Sequence, residues 1–562
     1  MAASGAMDLG KLSSLIPRLG RGALWRAPIL LLTGSALCFY LALPYRGLDA
    51  DATTFGLMGN DLLRHGYLPT LTYGQNYLFS LTPYLYALVR WLMPSLSVTL
   101  AFAITGSILS LGGLWLIYEA LLTVQDTMGR RRAWPLIVFC VLVGCSPAYM
   151  LDISCFSSIE VSLFLLGLVM FAAARIDRAI AAATTPSLLI WGVLGAACGF
   201  AVYSRAQVVC YAVPAIGLLL PRLRNRRAGE WKPAVLALAA GVFIGYVPML
   251  LHTLFRAPLW PFGAHLPLHL GKRHAIAAAC LEFFTAIVPR IFSLSGGHLL
   301  HSSLIIVWIG GAIALFAVTL RRAPTTVSAM DGVWGIGSLM IALVMILFPM
   351  LSRNEECRRY CLHLLLGAAW LFARYAGAPG WRRVCASLLI GGIVVLAIPQ
   401  WHGRIAEARE KDRQLREAEM QFVPYLKGLN APILTQYWDA YLLAFLSDGT
   451  LRIEAYPWDL VRTYGLIQEV DMRRRTIWLV RSGYVGSTWD RLIQELGGRV
   501  VRKAHDQNVP LRLCGHECEL WEFDTGQEAV ALMKKYHPRY FTTPYPPGSR
   551  AAPSEDSSLR AR

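Results

Sequence analysis

Two aspartates, Asp49 and Asp51, follow the first apolar segment of the chain and are separated by a single alanine. Carboxylates this close can share a divalent cation such as Mg²⁺ or Mn²⁺, or one can raise the pKa of the other. Either arrangement suits a base that takes a proton from a hydroxyl group. An extended D-A-D segment would place both side chains on one side of the chain. The alternative interpretation is a solvated turn that carries two acids.

The segment after the aspartates contains a short helix and then a polar aromatic motif. Apolar residues of 53–63 recur at approximately helical spacing, which predicts an amphipathic helix on the membrane surface, ended by His65-Gly66. The motif Y-G-Q-N-Y follows at 73–77. Together these elements predict a cavity at the boundary between water and lipid.

The composition places these elements in a membrane protein. Of the 562 residues, 55% are hydrophobic and 16% are charged, against about 25% charged in soluble domains. The apolar residues form runs long enough to cross a hydrocarbon core of about 30 Å. The net charge of +18 does not indicate nucleic acid, because many of the basic residues lie in short loops between apolar runs.

The apolar runs predict a polytopic helical protein with about 11 transmembrane helices, within a range of about 10 to 13. Residues 1–26 then form a cytoplasmic segment, and loops 45–96 and 255–299 lie outside, as the distribution of Lys and Arg favours. The run at 77–93, between Pro83 and Pro94, is ambiguous. The predicted spans lie near 27–44, 97–121, 134–150, 158–174, 187–203, 207–221, 233–254, 300–320, 332–351, 360–376 and 384–400.

Beyond the membrane domain of 27–400, residues 401–545 are charged and mixed in pattern. They predict a small extracytoplasmic α/β domain, with strands near 432–437, 476–481 and 518–523. Residues 546–562 predict a disordered tail. In C-G-H-E-C, Cys514 and Cys518 indicate a local disulfide, while a metal site that includes His516 is the alternative.

The acidic residues in or beside the spans all fall at the predicted outer face. They are costly in a membrane and are therefore candidates for function. Clustering at one face favours chemistry at the surface, whereas a transporter or flippase, the alternative, usually has its sites near mid-membrane. These acids are Asp49, Asp51, Asp61, Asp152, Glu160, Glu282, Glu355 and Glu356.

The first outer loop resembles that of a known family. D-A-D-A-T-T-F-G-L-M-G-N-D-L-L-R-H-G followed by Y-G-Q-N-Y is similar to the corresponding loop of bacterial GT-C glycosyltransferases. The group in question is the dolichyl-phosphate-mannose-protein mannosyltransferase-like one, which includes lipopolysaccharide-modifying transferases. Ala52 stands where this group usually has Glu, and Gly59 where it usually has Ala. The resemblance implies a GT-C fold in a bacterial inner membrane.

The resemblance also implies a reaction. A sugar would pass from a polyprenyl-phosphate donor to a lipid, glycan or protein acceptor, by inverting displacement, with Asp51 or Asp49 as base or metal ligand. An oligosaccharide-transferring relative is the alternative within this class. Positive charge for the leaving phosphate would come from candidates that include Arg205, Arg358 and Arg359. The candidates for holding the sugar or acceptor are Tyr73, Gln75, Tyr77 and Glu160.

Overall fold

The computed structural model describes most of the chain in separate ranges. These ranges are 9–66, 80–127, 133–152, 159–226, 229–255, 273–283, 328–347, 358–376, 381–431, 433–455, 476–481, 500–504, 512–513 and 516–523.

Helices make up nearly all of the described part up to residue 431. In chain order they are α1 Leu9–Ala42, α2 Ala50–His65, α3 Thr82–Leu92, α4 Val98–Thr127, α5 Ala133–Gly144, α6 Pro147–Asp152, α7 Ile159–Ala181, α8 Leu188–Ser204, α9 Val209–Arg226, α10 Trp231–Phe255, α11 Arg273–Glu282, α12 Ala329–Leu347, α13 Arg358–Ala376, α14 Trp381–Glu417 and α15 Val423–Gly428. A 3₁₀ turn, Ala206–Val208, separates α8 from α9, and a π-helical turn, Ala418–Phe422, separates α14 from α15.

Five of the described helices are long and apolar enough to cross a membrane. Three more described helices are apolar but shorter, with 10–17 residues each. The chain is therefore a multi-pass membrane protein, as the sequence predicts. The predicted span at 300–320 lies outside the described residues, so the total of about 11 stays a prediction. The five helices contain the segments Trp25–Ala42, Val98–Asp126, Ile159–Ala181, Trp231–Leu251 and Ala329–Leu347.

The ambiguous run at 77–93 contains α3. With 11 residues, α3 extends only about 16 Å, about half of a hydrocarbon core. Pro83 lies in its first turn, where the missing N–H has no helical partner in any case. Helix α3 is therefore too short to be a transmembrane span.

Helices α8 and α10 approach each other closely through glycines. A Cβ atom on Gly195 would lie 2.1 Å from the carbonyl oxygen of Leu238 in α10. A Cβ atom on Gly241 would lie 2.1 Å from the carbonyl oxygen of Gly192 in α8. These distances leave no room for a side chain, so the two helices pack backbone against backbone, as small residues allow in membranes.

Helix α14 continues past the predicted domain boundary at residue 400. Its 37 residues extend from an apolar segment into a charged one that carries exposed ion pairs, such as that between Arg413 and Glu410. After α15 come β1 Ile433–Thr435, α16 Tyr437–Leu446, β2 Ile453–Ala455, β3 Thr476–Arg481, β4 Val500–Ala504, β5 Arg512–Leu513 and β6 His516–Phe523.

The described strands form one sheet in the order β2-β1-β3-β6-β4, with β5 paired to β6. Strand β1 is parallel to both β2 and β3, and β6 runs antiparallel to β3 and β4. Helix α16 connects the parallel strands β1 and β2, which is a βαβ arrangement. The extent of the predicted domain 401–545 stays a prediction.

A second hydrophobic core joins α2 to the C-terminal part of the chain. It includes Phe55 and Met58 of α2, Tyr86 of α3, Phe102 of α4 and Phe445 of α16. The rings of Phe102 and Phe445 lie 5.3 Å apart between centroids. Helix α2 is consequently buried, and the predicted surface helix is wrong in its exposure. Its end is as predicted, because Gly66 adopts φ 63° and donates its N–H to the carbonyl oxygen of Leu62.

Candidate active site

Asp49 is the residue that caps the N-terminus of α2. Its backbone is extended, with φ −142° and ψ 178°, and its side-chain oxygen Oδ1 accepts a hydrogen bond from the backbone N–H of Ala52 at 2.7 Å. This bond satisfies one of the first amides of the helix and fixes the orientation of the carboxylate. The D-A-D segment is thus the start of a helix and not the extended segment that was predicted.

Asp51 lies in the first turn of α2 and is half-buried. A negative charge is favourable there, because the N-terminus of a helix carries a partial positive charge. The two aspartates therefore occupy different positions relative to the helix: Asp49 faces its first amides and Asp51 lies within its first turn.

Glu160 lies in the first turn of α7 and its side chain is fully buried. Its Oε1 atom accepts a hydrogen bond from the hydroxyl of Thr82 at 2.8 Å. That hydroxyl in turn accepts a bond from the hydroxyl of Ser80 at 2.9 Å. The other oxygen, Oε2, has no hydrogen-bond partner among the described residues. A buried carboxylate with one unsatisfied oxygen is a candidate for binding a ligand.

The structure brings three of the predicted site residues together around Glu160. The guanidinium of Arg205 and the carboxylate of Asp49 both act electrostatically on the Glu160 carboxylate. Arg205 lies at the break between α8 and the 3₁₀ turn, and its backbone N–H bonds the carbonyl oxygen of Ala201. An arginine at a helix break that acts on a buried carboxylate could supply the positive charge that a phosphate group would need.

His363 belongs to the same region, although the sequence-based prediction did not include it. It is buried in α13, and its Nε2 atom lies 2.8 Å from the hydroxyl of Ser162, two residues after Glu160. Its ring stacks on Tyr211 at 6.2 Å between centroids, and Arg205 acts on it electrostatically. Its Nδ1 atom has no partner among the described residues. A histidine inside an apolar run is the sequence signal that would have found it.

The remaining predicted site residues are not placed. Tyr73, Gln75 and Tyr77 lie outside the described residues. Arg358 and Arg359 are the first two residues of α13, and the description does not extend to their side chains.

The predicted disulfide is likewise not placed by the described residues. Cys518 is buried on β6, but Cys514 lies outside the described residues, so the Cys514–Cys518 disulfide stays a prediction.

A divalent cation at Asp49 and Asp51 also stays a prediction. Within the described ranges, no group of three or more His, Cys, Asp or Glu side chains is close enough to hold a metal ion. Asp49 already uses one oxygen for the amide of Ala52. The described residues therefore do not by themselves form a complete metal site.

The helical arrangement defines the fold of the protein. Its fold is the GT-C fold of membrane glycosyltransferases. It is similar to the crystal structure of ArnT from Cupriavidus metallidurans in the apo state, with 13% sequence identity and a TM-score of 0.54 over 92% of this chain and 99% of that one. The same protein bound to undecaprenyl phosphate gives 12% identity and a TM-score of 0.54 over 88% and 98%.

A mycobacterial arabinofuranosyltransferase, AftD, is a more distant structural neighbour. It has 13% identity and a TM-score of 0.42 over 89% of this chain and 40% of that one. No family model matches the chain, and no curated protein sequence is significantly similar to it. At 12–13% sequence identity, the similarity to ArnT is a similarity of fold alone.

Proposed function

We propose that this protein is an integral membrane glycosyltransferase. It moves a sugar from a polyprenyl-phosphate donor to a lipid, glycan or protein acceptor at the outer face of the bacterial inner membrane. The observation that supports the proposal is the buried Glu160, whose Oε2 has no hydrogen-bond partner among the described residues and whose carboxylate interacts electrostatically with Arg205 and Asp49. The fold supports it, since ArnT has been crystallised with undecaprenyl phosphate.

The first step is removal of a proton from the acceptor. Asp51 or Asp49 takes the proton of the acceptor hydroxyl, and the oxygen attacks the anomeric carbon of the donor sugar. The bond between that carbon and the phosphate oxygen breaks on the opposite face, so the configuration inverts. The hydrogen bond from Ala52 keeps the Asp49 carboxylate in one orientation during this step.

The other residues act on the donor. The guanidinium of Arg205 stabilises the charge that develops on the leaving polyprenyl phosphate. Glu160 accepts a hydrogen bond from a hydroxyl of the sugar or acceptor through Oε2, while Thr82 holds Oε1. The buried surroundings strengthen both interactions, because little water competes for them.

The proposal includes a topology. Residues 1–26 are cytoplasmic, and loops 45–96 and 255–299 and the domain 401–545 lie outside the membrane on the opposite side. This orientation places Asp49, Asp51 and Glu160 at the outer face, where the acceptor would arrive.

A transfer assay tests the proposal. Membranes containing the full chain are supplied with a radiolabelled sugar on polyprenyl phosphate, and the labelled product is separated by chromatography. Asp49→Asn and Asp51→Asn remove charge at constant size, and we expect at least one of them to abolish transfer. Glu407→Gln removes an exposed carboxylate from α14, away from the proposed site, and serves as the control.

The controls separate this function from the alternatives. Normal transfer by both Asn variants would contradict a carboxylate base. Movement of the lipid-linked sugar across the membrane without any transfer would favour a flippase. The chromatographic behaviour of the product then identifies the acceptor as lipid, glycan or protein.

A further inference from the structure

The turn that follows α16, Ser447–Gly449, has an unusual backbone and contacts the first outer loop. Asp448 has φ 55° and Gly449 has φ 69°, both in the left-handed region. Asp and Asn tolerate this conformation better than most residues do. The turn points the Asp448 carboxylate away from α16 and towards α2 and α3.

Asp448 makes four polar contacts with α2 and α3. Its Oδ1 accepts a hydrogen bond from Asn60 at 3.0 Å, and its backbone carbonyl accepts one from Arg64 at 2.7 Å. Its Oδ2 lies 2.8 Å from a guanidinium nitrogen of Arg64 and 3.3 Å from one of Arg90. Asn60 and Arg64 belong to α2, whereas Arg90 belongs to α3. One residue thus joins the ends of two helices that lie about 360 to 390 positions earlier in the chain.

Apolar contacts fix the same helix along its length. A Cβ atom on Gly56 would lie 2.2 Å from the Phe445 ring of α16. A Cβ atom on Gly59 would lie 2.5 Å from the Tyr86 ring and 2.8 Å from the carbonyl oxygen of Pro83, both in α3. Gly56 and Gly59 lie on one face of α2, so this face is in close contact with the Phe445 ring of α16 and with α3, whose Tyr86 ring lies 6.1 Å from that of Phe445 between centroids.

We propose that Asp448 is a positioning residue for Asp49. The two residues act on opposite ends of α2, which is 16 residues and about 24 Å long. A helix held by close contacts moves as a rigid unit, so release of its C-terminal end shifts the capping residue at its N-terminal end. The inference rests on the proposed function, taken with Asp49 as the base that must lie within hydrogen-bond distance of the acceptor hydroxyl.

Asp448→Asn is the variant that tests this role. Asparagine keeps the size of the side chain and tolerates the left-handed backbone, but it removes the charge that faces Arg64 and Arg90. Arg64→Met with Arg90→Met removes the same ion pairs from the other side. Glu410→Gln is the control, because it breaks an exposed ion pair with Arg413 in α14.

The first measurement is amide hydrogen exchange of peptides covering 49–66 in the purified full chain. We expect faster exchange in Asp448→Asn and in the double arginine variant, and unchanged exchange in Glu410→Gln. Equal exchange in all of them would overturn the inference, whether or not the protein transfers sugar.

The second measurement is the steady-state rate of transfer. We expect kcat to fall by about 10- to 100-fold in Asp448→Asn, while KM for the lipid donor stays within about twofold, because only the position of the base has changed. An unchanged kcat, or a rise in KM alone, would overturn the inference. If Asp448→Asn exchanges faster but the wild-type protein transfers no sugar, the proposed function would be overturned. The role of Asp448 in fixing α2 would still be established.

Discussion

Thr82 and Glu160 lie 78 positions apart in the chain, and the hydroxyl of the first donates a 2.8 Å hydrogen bond to the carboxylate of the second. This bond links the start of α3 to the first turn of α7. It also holds the one buried acid that groups with Asp49 and Arg205. Its removal should therefore affect both the stability of the helix bundle and the activity.

Thr82→Val replaces the hydroxyl by a methyl group and leaves Oε1 of Glu160 without a donor. We expect the free energy of unfolding to fall by about 1–3 kcal/mol, the usual penalty for an unsatisfied buried acceptor. Thermal unfolding in detergent measures the loss, and Thr82→Ser, which keeps the hydroxyl, is the control. Equal melting temperatures for the valine and serine variants would contradict the assigned bond.

Ala52→Glu introduces the residue that the similar loops of GT-C glycosyltransferases usually have at this position, and we expect it to be harmful. Ala52 is fully buried in the second core, so a glutamate would place an unpaired charge there. The yield of monodisperse protein in size-exclusion chromatography should fall sharply. Leu63→Glu, on an exposed part of the same helix, should leave the yield unchanged. A normal yield for Ala52→Glu would show that the site accommodates the charge.

Gly56→Ala tests the contact between α2 and α16. The added methyl group would overlap the Phe445 ring, so we expect destabilisation by about 1–3 kcal/mol, although alanine favours helix. Gly217→Ala, in α9, has no atom within 4 Å of the new methyl group and should stabilise by up to about 1 kcal/mol. Thermal unfolding of the two variants should therefore move in opposite directions. A shift of both in the same direction would contradict the close packing.

Glu419 gives a prediction that depends on pH. Burial raises its pKa above the ordinary value of 4.5, although the hydrogen bond from Tyr45 and the charge of Arg416 act in the opposite direction. A carboxyl whose pKa is higher in the folded state binds more protons there, so it destabilises the fold as pH rises above its unfolded pKa. Glu419→Gln should therefore raise the melting temperature at pH 8 relative to wild type, and much less at pH 4.

A control for this change is available on the same part of the chain. Glu407→Gln removes a carboxylate from the exposed surface of α14, where an ion pair contributes little. It should shift the melting temperature by less than Glu419→Gln at pH 8. If Glu419→Gln gave the same shift at both pH values, its carboxyl would not be the source of the effect.

Local signals in the sequence predicted much of the architecture. The apolar runs found the described spans, Gly66 marked the end of α2, and the strand Thr476–Arg481 has the predicted bounds. Each of these signals depends on residues within one element. The burial of α2 was missed because its partner α16 lies nearly 400 positions later in the chain. The hydroxyls of Thr53 and Thr54 donate to the carbonyl oxygen of Ala50 and are thereby satisfied although they are buried.

The candidate site shows the same difference between local sequence signals and contacts between distant parts of the chain. Asp49, Glu160 and Arg205 were candidates from the sequence, because charged residues at the edge of a span are costly and few. His363 and Asp448 were not, although both make buried or half-buried polar contacts. For His363 the signal was a histidine in an apolar run, which the prediction did not use. The contacts of Asp448 join residues about 360–390 positions apart, and a single sequence carries no signal for such pairs.

The glycine faces of α8 and α10 constrain the order in which the chain assembles. Helix α8 is synthesised first, and α9 follows before α10, the packing partner of α8, is made. Until then lipid chains must cover a glycine surface whose carbonyl groups are only thinly shielded. The pair can close only after Trp231–Phe255 has been inserted. A nascent chain stalled before this point would therefore expose a surface that membrane chaperones and proteases can recognise.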